Sequence, residues 1–189
     1  MNALEHTSFP ELAERIAARY NEGDDALLLG MLGQEYVVRR NGIYLHGQRA
    51  PEAHAAIVLD YLSSPGTAPA LMPWRAITYF PGSSPSVFRE KVELPLCNYA
   101  AEIIARANAL LPMIDAEAVP SLIGSEMSLV VRVLPKVYLH VELFQETPDF
   151  PSEAWVLFSN NANEFLSAQG LLTLAEAFKD RLLGLLRIY

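Results

Sequence analysis

The chain has 189 residues, 51% of them apolar and 19% charged, and its 14 basic against 22 acidic residues leave a formal charge of −8. A mean hydropathy of +0.17 excludes disorder, which needs low hydrophobicity and dense charge, and no stretch approaches the ~18 apolar residues of a membrane span. The charge argues against nucleic acid and against an anionic membrane as partners, because both demand clustered Lys and Arg, and the densest basic pair is Arg39 with Arg40.

In chain order, Ser8-Phe9-Pro10-Glu11 has the form of a capping box. Phe9, Leu12, Ala13, Ile16 and Tyr20 follow at helical spacing, so a first helix is expected to run to a stop at Gly23. Residues 26–32 are a short apolar run expected as a buried strand; periodicity alone leaves helix open as the alternative. Residues 35–46 carry Asn41-Gly42, which suits the positive φ values of a type I′ turn. A hairpin is expected there, with Val38 opposite Leu45, Arg40 opposite Ile43, and Tyr36, Val38, Ile43 and Leu45 facing inward. Pro51 opens a second helix with the stripe Ile57, Val58, Tyr61 and Leu62.

After a Pro- and Ala-rich connector, residues 74–80 are expected as a strand, and a helix should begin near Ser86, broken or kinked at Pro95. A long helix is expected from Leu96 to Leu110. Residues 128–134 and 137–144 alternate as two strands joined at Pro135-Lys136, and residues 154–158 form another. Asn161 to Glu164 can open a short turn, and residues 171–188 form the last helix, with Leu171, Leu174, Phe178, Leu182, Leu185 and Tyr189 on its main face. Strands occur in neighbouring groups without strict alternation with helices, so the expected fold is α+β: one domain over residues 1–189, with a mainly antiparallel sheet built from hairpins against amphipathic helices.

Two constellations could carry chemistry. Pro81-Gly82-Ser83-Ser84-Pro85-Ser86, with Arg89 one turn on, gathers free N–H groups, hydroxyls and a guanidinium at a helix start, which suits an anion. It lacks the spacing and Lys of a P-loop, and the plainer reading has Ser84 as a cap and the other serines solvated. Tyr138, His140 and Glu142 share one face of a strand, where His and Glu could act as base and orienter; the plainer reading is a polar, solvated face opposite the apolar Leu139, Val141 and Leu143. The remaining histidines, His6, His46 and His54, have no metal-ligand spacing, and no metal or cofactor is expected. The acidic loop at residues 142–153 lacks the ligand spacing of a calcium loop. Cys97, the one cysteine, excludes a disulfide within the chain and is expected to lie buried and inert. Residues 1–9 do not have the form of a signal peptide, so a cytoplasmic location is expected.

Several segments resemble a known family: Gly33-Gln34-Glu35-Tyr36 with Val38, residues 57–62, Trp74-Arg75 through Pro81-Gly82 with Phe88, residues 134–137, Phe150-Pro151-Ser152, residues 156–159 and residues 163–166. Together they are similar to the family called domain of unknown function 3786, met mostly in anaerobic bacteria and archaea, over roughly residues 26 to 175. The resemblance implies no established activity. Some relatives bear an added cysteine-rich segment that points to redox or corrinoid-linked systems; a chain with Cys97 alone departs from that pattern. It also has Gln169-Gly170 where relatives tend to be acidic before the final helix.

The expected function is a non-catalytic binding or accessory domain acting through a partner protein or a small ligand, since no acid, base and nucleophile converge and the last helix carries extra leucines, Leu172, Leu183 and Leu186, that could mark a partner or homo-oligomer interface. The alternative is an enzyme with a cleft between the Pro81 to Arg89 turn and the sheet, using His140 and Glu142 on an anionic substrate held by Trp74, Arg75, Gly82, Ser83, Ser84, Ser86 and Arg89.

Overall fold

A computed structural model describes residues 8–188; most of the 1–9 segment expected not to be a signal peptide, and the place of Tyr189 on the last helix, lie outside them. Helix α1 (Phe9–Ile16) buries Phe9, Leu12, Ala13 and Ile16, as their spacing requires. Ser8 is its N-cap, but no side-chain cap bond forms. The helix also ends well before Gly23: Ala17 turns left-handed at φ 57°, and β1 (Arg19–Asn21) leaves to pair with β2 (Ala26–Met31). Strand pairing at a sheet edge overrides helical periodicity here, and Tyr20 is a strand residue.

β3 (Gln34–Arg39), β4 (Gly42–Leu45) and β5 (Gln48–Arg49) complete a five-stranded antiparallel meander. The mirror-image turn expected at Asn41-Gly42 occurs instead between β2 and β3, where Leu32 and Gly33 have φ of 56° and 71°. Leucine is a costly residue there, by roughly 1–2 kcal/mol. It is held because its side chain is buried and its N–H donates to the Val133 carbonyl at 3.2 Å. In the next hairpin Arg40 and Asn41 form the loop, so Val38 faces Ile43 and Tyr36 faces Leu45. The expected register is displaced by two, which keeps the same four side chains on one face.

Helix α2 (Glu52–Ser63) follows. The strand expected at residues 74–80 is reduced to a single antiparallel bridge, Arg75 to Phe158, and a 3₁₀ turn at Ile77–Tyr79. Helix α3 (Pro85–Phe88) runs into α4 (Leu94–Cys97) through a wider π turn at Arg89–Glu93. That turn stands where the ring of Pro95 would clash with the preceding turn of a regular helix and its missing N–H would leave a carbonyl unpaired. Helix α5 (Ala100–Leu110) leads to the second sheet, β6 (Ala116–Val119), β7 (Met127–Leu134), β8 (Val137–Phe144) and β9 (Glu153–Phe158), again an antiparallel meander. Helix α6 (Ala168–Leu186) closes the fold, capped by Ser167, whose Oγ accepts the Gly170 N–H.

The fold is thus α+β with two sheets rather than one. The inner faces of both sheets and the helices share one hydrophobic cluster. Of the extra leucines of α6, Leu186 is buried, and Leu172 and Leu183 pack half-buried on the same cluster. Packing within the chain therefore covers Leu186 fully and Leu172 and Leu183 in part. Among the described residues no helix is long and apolar enough to cross a membrane.

The glycines of the first hairpin differ sharply. A Cβ on Gly33 would sit 2.3 Å from the Met113 carbonyl oxygen at positive φ, whereas one on Gly30 would meet nothing within 4 Å. Gly33→Ala is expected to destabilise by more than about 1 kcal/mol, and Gly30→Ala to stabilise by roughly 0.4–1 kcal/mol through the unfolded chain. Urea denaturation of the two variants checks the contrast.

Candidate functional site

The second face of β8 holds Tyr138, His140 and Glu142, with Leu139, Val141 and Leu143 turned to the core as expected. The face is not solvated, however: His140 and Glu142 are each only 1% exposed. Two segments from elsewhere in the chain cover it. Strand alternation separates the two faces of a strand and carries no information about a lid placed over the polar one.

The first lid is the loop at residues 121–125. Its Ser121 Oγ accepts the N–H groups of Ile123, Gly124 and Ser125 at 3.2, 2.8 and 2.8 Å, and then donates to Glu142 Oε2 at 2.9 Å. The Ser125 hydroxyl donates to the same oxygen. Glu142 Oε1 accepts the Leu122 N–H at 3.1 Å and His140 Nε2 at 2.7 Å. Burial alone would raise this carboxyl's pKa. Donation from Ser125, His140, Leu122 and Ser121 outweighs burial and holds it at about 2. With an acceptor-only carboxylate against Nε2, the imidazole carries its proton on that nitrogen. Ser128 Oγ stands 3.3 Å from the same nitrogen. Nδ1 of His140 is buried and has no partner.

The second lid is Trp74, whose ring stacks on His140 with centroids 5.1 Å apart and planes 28° apart. Its position follows from clamps on the connector. Phe158 and Arg75 exchange backbone hydrogen bonds at 2.8 Å, and Asn160 N–H donates to the Leu71 carbonyl at 2.7 Å. Asn161 Oδ1 accepts the Leu71 N–H at 2.9 Å, while its Nδ2 donates to the Pro69 carbonyl at 3.0 Å. Asn161 therefore secures the connector and makes no cap to the turn it precedes. Beside this lid lies a hollow of about 530 Å³, walled by Met72, Trp74, Val130, Pro135, Lys136 and Tyr138. Lys136 Nζ donates to the carbonyls of Arg15 and Thr67 at 2.6 and 2.5 Å.

The turn from Pro81 to Arg89 is elsewhere. Phe80 and Phe88, which flank it, pack on Phe158 with centroids 5.7 and 5.8 Å away, and Phe158 pairs with Leu139 on the core face of the sheet. Gly82, Ser83 and Ser84 line a small cavity of about 90 Å³ against the start of α6. Ser83 Oγ donates to the Ile77 carbonyl at 2.7 Å, Ser84 makes no side-chain cap bond, and Ser86 Oγ lies 3.5 Å from Ser84 Oγ. Arg89 faces Glu93 and Glu153 at 3.8 and 3.9 Å. Arg75 Nε donates to Asn160 Oδ1 at 2.8 Å, with its guanidinium over the Tyr79 ring. Of the expected site residues, the structure joins Trp74 with His140 and Glu142, and does not bring Gly82, Ser83, Ser84, Ser86 or Arg89 into a common pocket with them. Cys97 is buried and free, and burial pushes its thiol pKa up, against reactivity.

The sequence reading missed Ser121, Ser125 and Ser128. The Ser-Leu-Ile-Gly-Ser segment does carry the marks of a hydroxyl-organised turn; nothing local connects it to a carboxylate on β8.

These features define an α+β domain of two antiparallel meanders with a covered His–Glu pair on the second. The model of the family described as Domain of unknown function (DUF3786) matches residues 8–181, and the chain belongs to that family. No curated protein and no solved structure matches it.

Because the folded-state pKa of Glu142 lies below its usual value of 4.5, at about 2, the unfolded chain binds the extra proton first on acidification. The stabilisation from this group is full above about pH 4.5 and is lost as pH falls towards 2. Chemical denaturation from pH 6 to 2 should show that loss. Glu142→Gln should remove this part of the pH dependence and cost about 2 kcal/mol at neutral pH.

Proposed function

We propose that this domain is a non-catalytic binding module that takes a small molecule with an apolar body and one anionic or acceptor group in the Trp74–Tyr138 hollow. The observation that carries the reading is the lining: apolar side chains line most of this open hollow, and Lys136, with two of its three donors given to carbonyls, stands in its wall. Pockets that bind small ligands have this make-up, a mainly apolar wall with few convergent polar groups. The neighbouring acid–base pair supports binding over catalysis, since three of the four donors to Glu142 come from the loop it holds, the fourth is His140 itself, and His140 lies beneath an indole. A cytoplasmic setting belongs to the same reading, in keeping with a free cysteine.

One observation favours the enzyme alternative. His140 has a carboxylate on one ring nitrogen and nothing on the other, the arrangement of a general base with its orienter. In that reading Trp74 swings aside and Lys136, rather than Arg89, receives the anionic substrate.

Octanoate, apolar with one carboxylate, is the probe for the binding reading. Titrated into protein carrying Trp155→Phe, it should change the fluorescence of Trp74, and Lys136→Met should weaken the effect by about tenfold. Unchanged fluorescence at millimolar octanoate, or equal affinity in the Lys136 variant, would sink the proposal. The enzyme reading instead requires that diethyl pyrocarbonate modify His140 in the native protein as fast as it modifies the exposed His46.

A further inference from the structure

The outer face of β8 continues past Glu142 to Phe144, and Phe144 forms one wall of a second groove, of about 400 Å³, with Phe150, Pro151, Thr147, Glu126 and Glu153. Phe150 is 73% exposed, yet it is held in place: Thr147 and Phe150 exchange backbone hydrogen bonds at 2.8 and 3.3 Å, and Thr147 Oγ1 accepts the Phe150 N–H at 3.1 Å. The aromatic surface extends sideways. Trp155, 41% exposed, lies 6.0 Å from the Phe144 ring. Trp155 pairs across the sheet with Glu142, whose lid loop presents Leu122 and Ile123, 65% and 46% exposed. Exposed apolar side chains gathered in this way mark an interaction surface.

Glu126 and Glu153 stand in the wall of the groove, and the segment that supplies most of that wall, residues 137 to 178, contains no Lys or Arg against six carboxylates, of which Glu142 is buried beneath its lid and Glu176 pairs with Lys91. Glu126 Oε2 accepts the Gln145 N–H at 3.1 Å, and Glu153 Oε2 accepts the Trp155 indole N–H at 3.0 Å. Both carboxylates are thereby fixed at the groove with lone pairs to spare. Arg89 reaches this rim, 3.9 Å from Glu153 Oε1. Aromatic faces beside anchored carboxylates suit a guanidinium, which stacks on rings while donating to oxygens.

We infer that this groove docks a basic segment of a partner protein, with an arginine set between Phe144 and Phe150 against Glu126 and Glu153, and flanking apolar side chains on Trp155, Leu122 and Ile123. The groove is separate from the Trp74–Tyr138 hollow: Tyr138 and Phe144 are six residues apart on one strand, roughly 20 Å, and the covered His140–Glu142 pair lies between them.

The test titrates the peptide acetyl-Leu-Arg-Arg-Leu-amide, and a twin with both arginines replaced by glutamine, into ¹⁵N-labelled protein. The arginine peptide should shift the amides of Gln145, Glu146, Thr147, Asp149 and Phe150 and the Trp155 indole N–H. Phe150→Ala, which removes an exposed side chain, should weaken binding by about tenfold, and Glu126→Gln should weaken it and reduce its salt dependence. Light scattering reads the oligomeric state in parallel. The inference is overturned by no shifts at millimolar peptide, by equal binding of the glutamine twin or of the Phe150 variant, by shifts centred on Tyr138, or by peptide-free dimers that Phe150→Ala abolishes, which would make a second copy of the chain the occupant.

Discussion

The architecture of the second sheet turns on a carboxylate removed from water. A buried charge is tolerated only where hydrogen bonds replace its hydration, and Glu142 collects four donors, from Ser121, Leu122, Ser125 and His140. Satisfying that requirement brings residues 121–125 onto the outer face of β8, sets the tautomer of His140 and gives Trp74 a flat, covered partner. An apolar side chain in that place would leave the serine-centred loop without the acceptor around which it is built.

The consequence is a strand face divided into three. Tyr138 borders the hollow, His140 and Glu142 lie beneath their lids, and Phe144 borders the second groove. The polar chemistry that looks most catalytic in the sequence holds the structure together, while the surfaces open to other molecules are the mainly apolar regions on either side. The groups that border the two open surfaces are indole, phenol and phenyl rings, together with the Lys136 ammonium that is tied to the Arg15 and Thr67 carbonyls.

Much of the fold was legible in the residues. Apolar spacing located α1, α2, the pairs β3–β4 and β7–β8, and α6, because burying one stripe or one alternate set is what stabilises each element. Turn chemistry was less faithful. Asn41-Gly42 suits a mirror-image turn, yet Leu32-Gly33 adopts one, because the burial of Leu32 and its bond to Val133 outweigh the local preference of the backbone. Residues 74–80 read as a strand and contribute only the Arg75 bridge, since Asn160 and Asn161 hold that connector as a lid.

For the site, the sequence by itself determined that His140 and Glu142 share a face and that the opposite face is core, because alternation is a local property of an extended chain. It also determined the one-signed charge of the 137–178 segment. Tertiary structure alone decided that the polar face is covered, that Trp74 rather than the Pro81 to Arg89 turn is its neighbour, and that Leu186 of α6 is buried while Leu172 and Leu183 are half-buried. Those outcomes depend on contacts between residues distant in the chain, from 17 positions for Ser125 and Glu142 to 92 for Asn161 and Pro69, where the gain from satisfying a buried charge and filling a core, rather than any local preference, sets the arrangement.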